Sequence, residues 1–214
     1  MVADRAAAGL KAGTVRTMGE RMTDDAILDE FRNADALLEG HFILSSGRHA
    51  SRYLQCARVL MDPARSSRLC EELVRRFPAG LRESIDVVIS PAMGGVIVGY
   101  EMGRALGVPA MFVERPTGVF ELRRGFRIEP GQRVLMMEDV VTTGLSSREA
   151  IAAIRAAGGD VVAAASLVDR SNGSADLGVP FHPLIRLDVP SYDADELPHD
   201  LAAIPAVKPG SRAA

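Results

Sequence analysis

Residues Arg133 to Ala157 constrain the fold more than any other stretch of this chain. Val134-Leu135-Met136-Met137 is short and wholly apolar, the mark of a strand buried on both faces. Two adjacent carboxylates, Glu138 and Asp139, close it. Thr142, Thr143, Gly144, Ser146 and Ser147 then supply small, hydroxylated turn residues. Arg148 to Ala157 reads as a helix stopped by Gly158-Gly159. A strand, an acidic pair, a small-residue loop and a helix N-terminus form a phosphate cradle, because free backbone N–H groups and the helix dipole both favour an anion there.

The loop has no Gly-Lys-Ser/Thr, so it is not of the Walker type. Carboxylates beside a phosphate repel it unless they bind something else, such as vicinal hydroxyls or a cation. The stretch therefore fits a ligand with a phosphate at one end and a diol beside it, which describes ribose 5-phosphate. The plainer alternative is a buried strand ending in two solvated acids and an ordinary N-cap. The strict order of apolar run, Glu-Asp, two apolar residues and Thr-Thr-Gly argues against it.

The rest of the chain supplies the frame. Thr23 caps a helix with Ile27, Leu28 and Phe31 on one face. Leu37 to Gly40 reads as the end of a helical turn. Phe42-Ile43-Leu44 and Tyr53-Leu54-Gln55 read as strands joined by a polar hairpin with Gly47 at its bend. A helix with Pro63 in its first turn covers 62–77. Strands at 85–89, 110–113, 133–137 and 161–168 alternate with helices at 96–106 and 147–157. Leu184 to Leu187 adds a late strand. This alternation predicts a parallel sheet covered on both faces, with ligands beyond the strand carboxyl ends.

Four loops meet there: 90–95, 114–131, 138–147 and 169–173. Gly94-Gly95 suits backbone approach to a diphosphate and close helix–sheet packing equally well. The 114–131 loop is long for a compact domain and carries Glu114, Arg115, Glu121, Arg123, Arg124, Arg127 and Glu129. Arg115 starts it at the strand end, where a guanidinium suits phosphate. A solvated charged hairpin remains a strong reading of Arg127 and Glu129. Arg170 could pair with a carboxylate ligand, or Asp169 and Arg170 could brace each other.

Composition sets outer bounds. The 214 residues suffice for one domain with a small appendage. A formal net charge of -3 gives no global basic field for nucleic acid, and no apolar run reaches membrane-spanning length. Cys56 and Cys70 form no disulfide framework or zinc spacing, so a reduced cytoplasmic setting is the default. Residues 1–22 lack the apolar core of a signal peptide. They are expected to be a disordered extension, or to precede a start at Met18 or Met22. The expected boundaries are one domain over 23–204, with an N-terminal part at about 23–60, a core at about 61–190, and a disordered tail from Pro205 to Ala214.

The run from Val134 to Gly144 resembles the phosphoribosyl-diphosphate signature of the type I phosphoribosyltransferases. Residues 40–62 are similar to the N-terminal segment of the orotate members of that family, which purine members lack, and Asp169-Arg170 matches their Asp-Arg. The resemblance covers roughly residues 23–200. It implies an α/β fold, a Rossmann-like parallel sheet with a small N-terminal hood, and a homodimer. It implies Mg²⁺ held mainly through the diphosphate and ribose hydroxyls, with no direct protein ligand.

Carried over by position, Glu138 and Asp139 would bind the ribose hydroxyls. The loop from Val140 and Val141 through Thr142, Thr143, Gly144, Leu145 and Ser146 would hold the rest of phosphoribosyl diphosphate, chiefly its 5-phosphate. Arg115 would meet the diphosphate; Tyr53, Leu54, Thr142 and Arg170 would meet orotate. The chain departs from the pattern at Ser45 and Gly94, where many members have Lys, and in a mobile loop without Lys or His. Arg123 and Arg124 are then the candidates for steadying the leaving diphosphate. The implied reaction joins orotate to phosphoribosyl diphosphate, giving orotidine 5′-monophosphate and diphosphate in pyrimidine nucleotide synthesis. The rivals are a purine-type transferase, against which the hood and Asp169-Arg170 argue, and a regulator that binds the same ligand without turnover. The latter lacks room for a nucleic-acid module in residues 1–40.

Overall fold

Why the central strands pair in parallel follows from their apolar faces. The computed structural model describes residues 21–44 and 47–208. In chain order these form α1 (Asp24–Asn33), β1 (Leu37–Ile43), β2 (His49–Leu54), α2 (Cys56–Leu60), α3 (Pro63–Arg76) and a 3-10 turn at Arg82–Ser84. There follow β3 (Val87–Pro91), α4 (Gly95–Leu106), β4 (Ala110–Glu114), β5 (Glu121–Leu122), β6 (Arg133–Val141) and α5 (Leu145–Ala156). The described chain ends with β7 (Asp160–Asp169), β8 (Phe181–Arg186), β9 (Ser191–Tyr192) and α6 (His199–Ala202).

Six strands form one sheet in the order β5-β4-β3-β6-β7-β8, parallel except for β5, which runs back along β4. The fold is therefore the expected α/β type. The sheet lies between two apolar layers. Leu135, Met137, Val98, Met102, Leu69 and Leu73 pack on the α3–α4 side. Val134, Met136, Ala150, Ile151 and Ile154 pack on the α5 side. Chain order reverses between β3 and β6, and such a switch point opens a crevice at the strand carboxyl ends.

Several elements differ from the sequence expectation. Residues 37–40 are strand rather than the end of a helical turn. Leu37, Leu38 and Glu39 pair with Leu54, Tyr53 and Arg52, and a bulge follows at Gly40, whose φ is +152°. The pairing partner lies 13 or more residues away, so local pattern did not reveal it. α2 was not expected at all; its five residues are too few to show periodicity. β6 runs on to Val141 instead of stopping at Met137, because the long β7 pairs with it as far as Val141↔Asp169. The 114–131 loop contains β5, so it begins as a hairpin on β4.

The hood is a small second sheet, β1-β2-β9, and its third strand comes from the far end of the chain. The tail adds to it. Val207 donates its N–H to the His41 carbonyl and accepts from the Ile43 N–H, each at 2.8 Å. Pro205 to Lys208 are thus not the disordered tail expected from sequence; 209–214 lie outside the described residues, as do 1–20 of the expected N-terminal extension. His41 is buried, with Nδ1 donating to the Ile204 carbonyl at 2.8 Å and Nε2 2.6 Å from His49 Nδ1.

α4 lies unusually close to the sheet, and Gly99 is the reason. A Cβ there would fall 2.5 Å from Ser90 Oγ and 2.8 Å from Ser90 Cβ, inside any permitted contact. Gly99→Ala is expected to destabilise the protein by about 1–3 kcal/mol through this overlap. Chemical denaturation should show the loss, and Ser90→Gly in the same chain should recover most of it.

Candidate active site

A β-strand sends successive side chains to opposite faces. Extending β6 past Met137 therefore splits the acidic pair. Glu138 follows Val134 and Met136 onto the α5 face, and Asp139 follows Leu135 and Met137 onto the α3–α4 face.

On the α5 side there is a cavity of about 250 Å³. It is lined by Arg115, Glu138, Val140, the loop from Thr142 to Gly144, the start of α5 from Leu145 to Ser147, and Glu149. Gly144 takes φ +73°, and a Cβ on it would sit 2.6 Å from Leu177 Cδ2, so both the turn and the packing need glycine. Arg148 Nη1 donates to the carbonyls of Thr143 (3.2 Å) and Asp176 (2.9 Å), tying the loop to the segment after β7. The first turn of α5, Leu145 to Ser147, forms part of the wall, and a helix N-terminus is a setting suited to phosphate.

Glu138 forms part of the cavity wall with only 7% of its surface exposed. Ser147 Oγ donates to its Oε2. Burial pushes the Glu138 carboxyl above the usual range; the Ser147 hydrogen bond and the Arg115 charge oppose this, while the Asp139 charge adds to it. Arg115 is held from two sides. Its guanidinium pairs with Glu149 and lies 4.0 Å over the buried Phe120 ring.

Asp139 belongs to a second region. Its Oδ1 accepts from the Val140 N–H at 2.9 Å, and a Cβ at Gly94 would lie 3.3 Å from its Oδ2. Glycine at 94 thus keeps a side chain from crowding this carboxylate. Gly95 is buried against Ser90, Pro91 and the Met137 carbonyl, so of the paired glycines it is the one that serves helix–sheet packing. Burial raises the Asp139 carboxyl, partly offset by its backbone hydrogen bonds. Cys56, at the start of α2, feels both Asp139 and Arg170, and burial pushes its thiol well up.

Arg170 follows β7, its N–H bonded to the Val141 carbonyl at 2.7 Å. Its Nε is buried without a hydrogen-bond partner among the described residues. Burial lowers its pKa, while the nearby Tyr53 and Cys56 act the other way. Asp169 does not brace it. That carboxylate is fully buried and turns to Ser171, whose N–H (2.8 Å) and Oγ (2.6 Å) it binds, and to Arg186 at 3.4 Å.

The structure thus gathers Arg115, Glu138, Val140, Thr142, Thr143, Gly144, Leu145 and Ser146 around one cavity. Val141 is not in the cavity wall; its side chain is buried in the α5-side cluster and its carbonyl accepts from the Arg170 N–H. Tyr53 and Leu54 belong to the hood, with Tyr53 close to Arg170. Arg123 and Arg124 are not in the cavity wall. Arg124 makes two hydrogen bonds to Glu114, at 3.1 and 3.0 Å, and Arg123 lies 3.6 Å from the same carboxylate. Ser45 lies outside the described residues. Sequence reasoning passed over Ser147, Glu149, Phe120 and Cys56 as site residues. Only Ser147 carried a local signal, as a hydroxyl on the apolar stripe of α5.

The phosphoribosyl transferase domain model matches residues 63–177. A protein from Rhizorhabdus wittichii named orotate phosphoribosyltransferase is 73% identical over 193 residues, covering 90% of this chain and 98% of that protein. The chain belongs to the orotate phosphoribosyltransferases. The solved orotate phosphoribosyltransferase of Aeropyrum pernix is 27% identical with a TM-score of 0.64, covering 75% of this chain and 93% of that one. The orotate phosphoribosyltransferase of Mycobacterium tuberculosis, solved with inorganic phosphate, is 28% identical with a TM-score of 0.55. The domain model starts after the hood. The Rhizorhabdus match, covering 90% of the chain, reaches into it.

Asp139 supplies a test of the electrostatics. Its folded pKa lies above its unfolded value, so its stabilising contribution is full below the unfolded pKa and is lost as pH rises through the folded pKa. Asp139→Asn is expected to raise the melting temperature of the ligand-free protein by a few degrees at neutral pH. The gain should fade as pH falls toward about 4, read by calorimetric melts across pH.

Proposed function

We propose that this chain transfers ribose 5-phosphate from phosphoribosyl diphosphate to N1 of orotate, releasing diphosphate and giving orotidine 5′-monophosphate. The observation that carries the reading is the placing of Arg170. Its Nε is buried and unpartnered, its charge is within electrostatic reach of hood residue Tyr53, and it directly follows β7, the neighbour of the strand that leads into the Thr142–Gly144 loop. A buried guanidinium N–H without a partner is costly, and a carboxylate-bearing planar base would satisfy it.

In this reading the N–H groups of Thr143 to Ser146 hold the 5-phosphate, and Glu138 accepts from the ribose hydroxyls. Asp139 approaches the ribose from the Gly94 side. Arg115 exchanges Glu149 for a phosphate oxygen. As N1 attacks the anomeric carbon, the ribose becomes cationic and the leaving oxygens become anionic. The carboxylates and guanidinium groups are in place before that charge develops, so positioning and electrostatics do most of the work. No general base is assigned, because orotate gives up its N1 proton with modest help.

No group of three His, Cys, Asp or Glu among the described residues could hold a metal ion. The site fits Mg²⁺ bound chiefly by diphosphate and ribose oxygens, the usual mode for this ion. When bound it would neutralise the leaving diphosphate. Arg123 and Arg124, tethered to Glu114 on the same loop, are our candidates for steadying that group if the loop moves inward.

A homodimer is part of the proposal. Ile97 and Tyr100, on α4, and Met93 just before it are large apolar or aromatic side chains left exposed. Ile97→Glu is expected to shift sedimentation toward monomer. No helix among the described residues is long and apolar enough to cross a membrane. Two free, buried thiols support a reducing, cytoplasmic setting.

The test is loss of orotate absorbance with phosphoribosyl diphosphate and Mg²⁺, beside adenine, hypoxanthine, xanthine and uracil. Turnover of orotate alone is expected. Purine turnover would overturn the base assignment, and tight binding without turnover would favour the regulator reading. Arg170→Ala should raise the KM for orotate at least about tenfold, the worth of a charge-assisted hydrogen bond. Replacing Arg123 and Arg124 together by Ala should lower kcat; an unchanged kcat removes them from the mechanism.

A further inference from the structure

The α5 face that meets the sheet is apolar at Ala150, Ile151 and Ile154, all buried in the same cluster as Val134 and Met136. Ser147 lies on that stripe, one turn before Ala150 and Ile151, and is fully buried. Alanine would pack there without a polar group to satisfy. A buried hydroxyl needs a partner. Here the partner is the Glu138 carboxylate, which ends the matching stripe of β6. Ser146, also at the cavity, favours the ionised carboxylate as well. The helix therefore grips Glu138 from behind while the carboxylate still faces the cavity.

We infer that Ser147 is a positioning residue for the transfer reaction, its hydroxyl holding Glu138 so that the carboxylate accepts from the ribose diol of phosphoribosyl diphosphate. The inference rests on the reading of the site given under Proposed function and deepens it. A serine hydroxyl has one proton, and donating it to Oε2 fixes the carboxylate plane and favours the ionised form. Only that form accepts from both ribose hydroxyls without offering a competing proton. Burial and the neighbouring Asp139 charge work against ionisation, and Arg115 is the cation that helps it. Glu149, the other carboxylate in the cavity wall, is engaged with Arg115. Removing the Ser147 hydroxyl should thus weaken ligand binding and make the weakening depend on pH.

The experiment is calorimetric titration of the full chain with phosphoribosyl diphosphate and Mg²⁺ from about pH 5, just above the ordinary carboxylate range, to about pH 8. Ser147→Ala is expected to raise Kd about tenfold at neutral pH, the scale of one hydrogen bond to a charged group. The acid-side loss of binding should begin at higher pH than in the native chain, while any alkaline-side change stays put. In the Glu138→Gln background the same replacement should add little. Ser147→Cys keeps the volume with only a weak donor, so it should show the same upward displacement if Ser147→Ala does not fold. A native Kd and acid limb in these variants would overturn the inference. So would an equal loss in both Glu138 backgrounds, which is what a purely structural serine predicts. Because the readout is binding, it judges Ser147 even if orotate is not turned over, so failure of the base assignment and failure of this inference remain distinct.

Discussion

Desolvation of two carboxylates at the end of β6 is the constraint on which the site depends. Glu138 and Asp139 are both pushed toward their neutral forms by burial. The surroundings answer each of them differently. Glu138 is met by serine hydroxyls from α5 and by the charge of Arg115, whereas Asp139 is met by backbone N–H groups. Strand alternation puts them on opposite faces of one sheet. The Thr142–Gly144 loop and the glycine loop after β3 therefore each gain one acid, and the switch point lies between them.

The second organising feature is closure of the hood by the end of the chain. β9 pairs with β2, Val207 pairs beside β1, and the buried His41 is bonded to Ile204 and His49. Tyr53 and Leu54 are thereby held on a three-stranded sheet instead of an isolated hairpin, which would be marginal in water. Arg170, from the core, is within electrostatic reach of hood residue Tyr53. The hood and Arg170 thus bring together three distant parts of the chain, whereas the cavity wall comes from one continuous stretch plus Arg115.

That difference explains what could be read in advance. The core strands β3, β4, β6 and β7 and helices α1, α3, α4 and α5 are legible from apolar runs, caps and glycine stops, because their burial pattern is local. The loop after β6 is legible for the same reason: Thr142, Thr143 and Gly144 follow a strand and precede a helix. The extension of β6 is not legible, since it depends on the length of β7. The strand at 37–40, the partnership of Val207 with the hood and the two-residue β5 and β9 are hidden likewise, being fixed only by distant pairing.

By itself, the sequence determined the class of fold and the place of the strand, acidic pair, small-residue loop and helix start at 133–157, because these follow from periodicity and from residue types in a fixed short order. Tertiary structure alone decided that Glu138 and Asp139 face opposite sides, that Ser147 and Glu149 engage Glu138 and Arg115, and that Arg123 and Arg124 rest on Glu114. It also decided that Arg170 is left with a buried donor unpaired. Each of these depends on which residue of another element arrives within hydrogen-bond reach. Sheet register and helix docking set that arrival, and no stretch of local sequence encodes it.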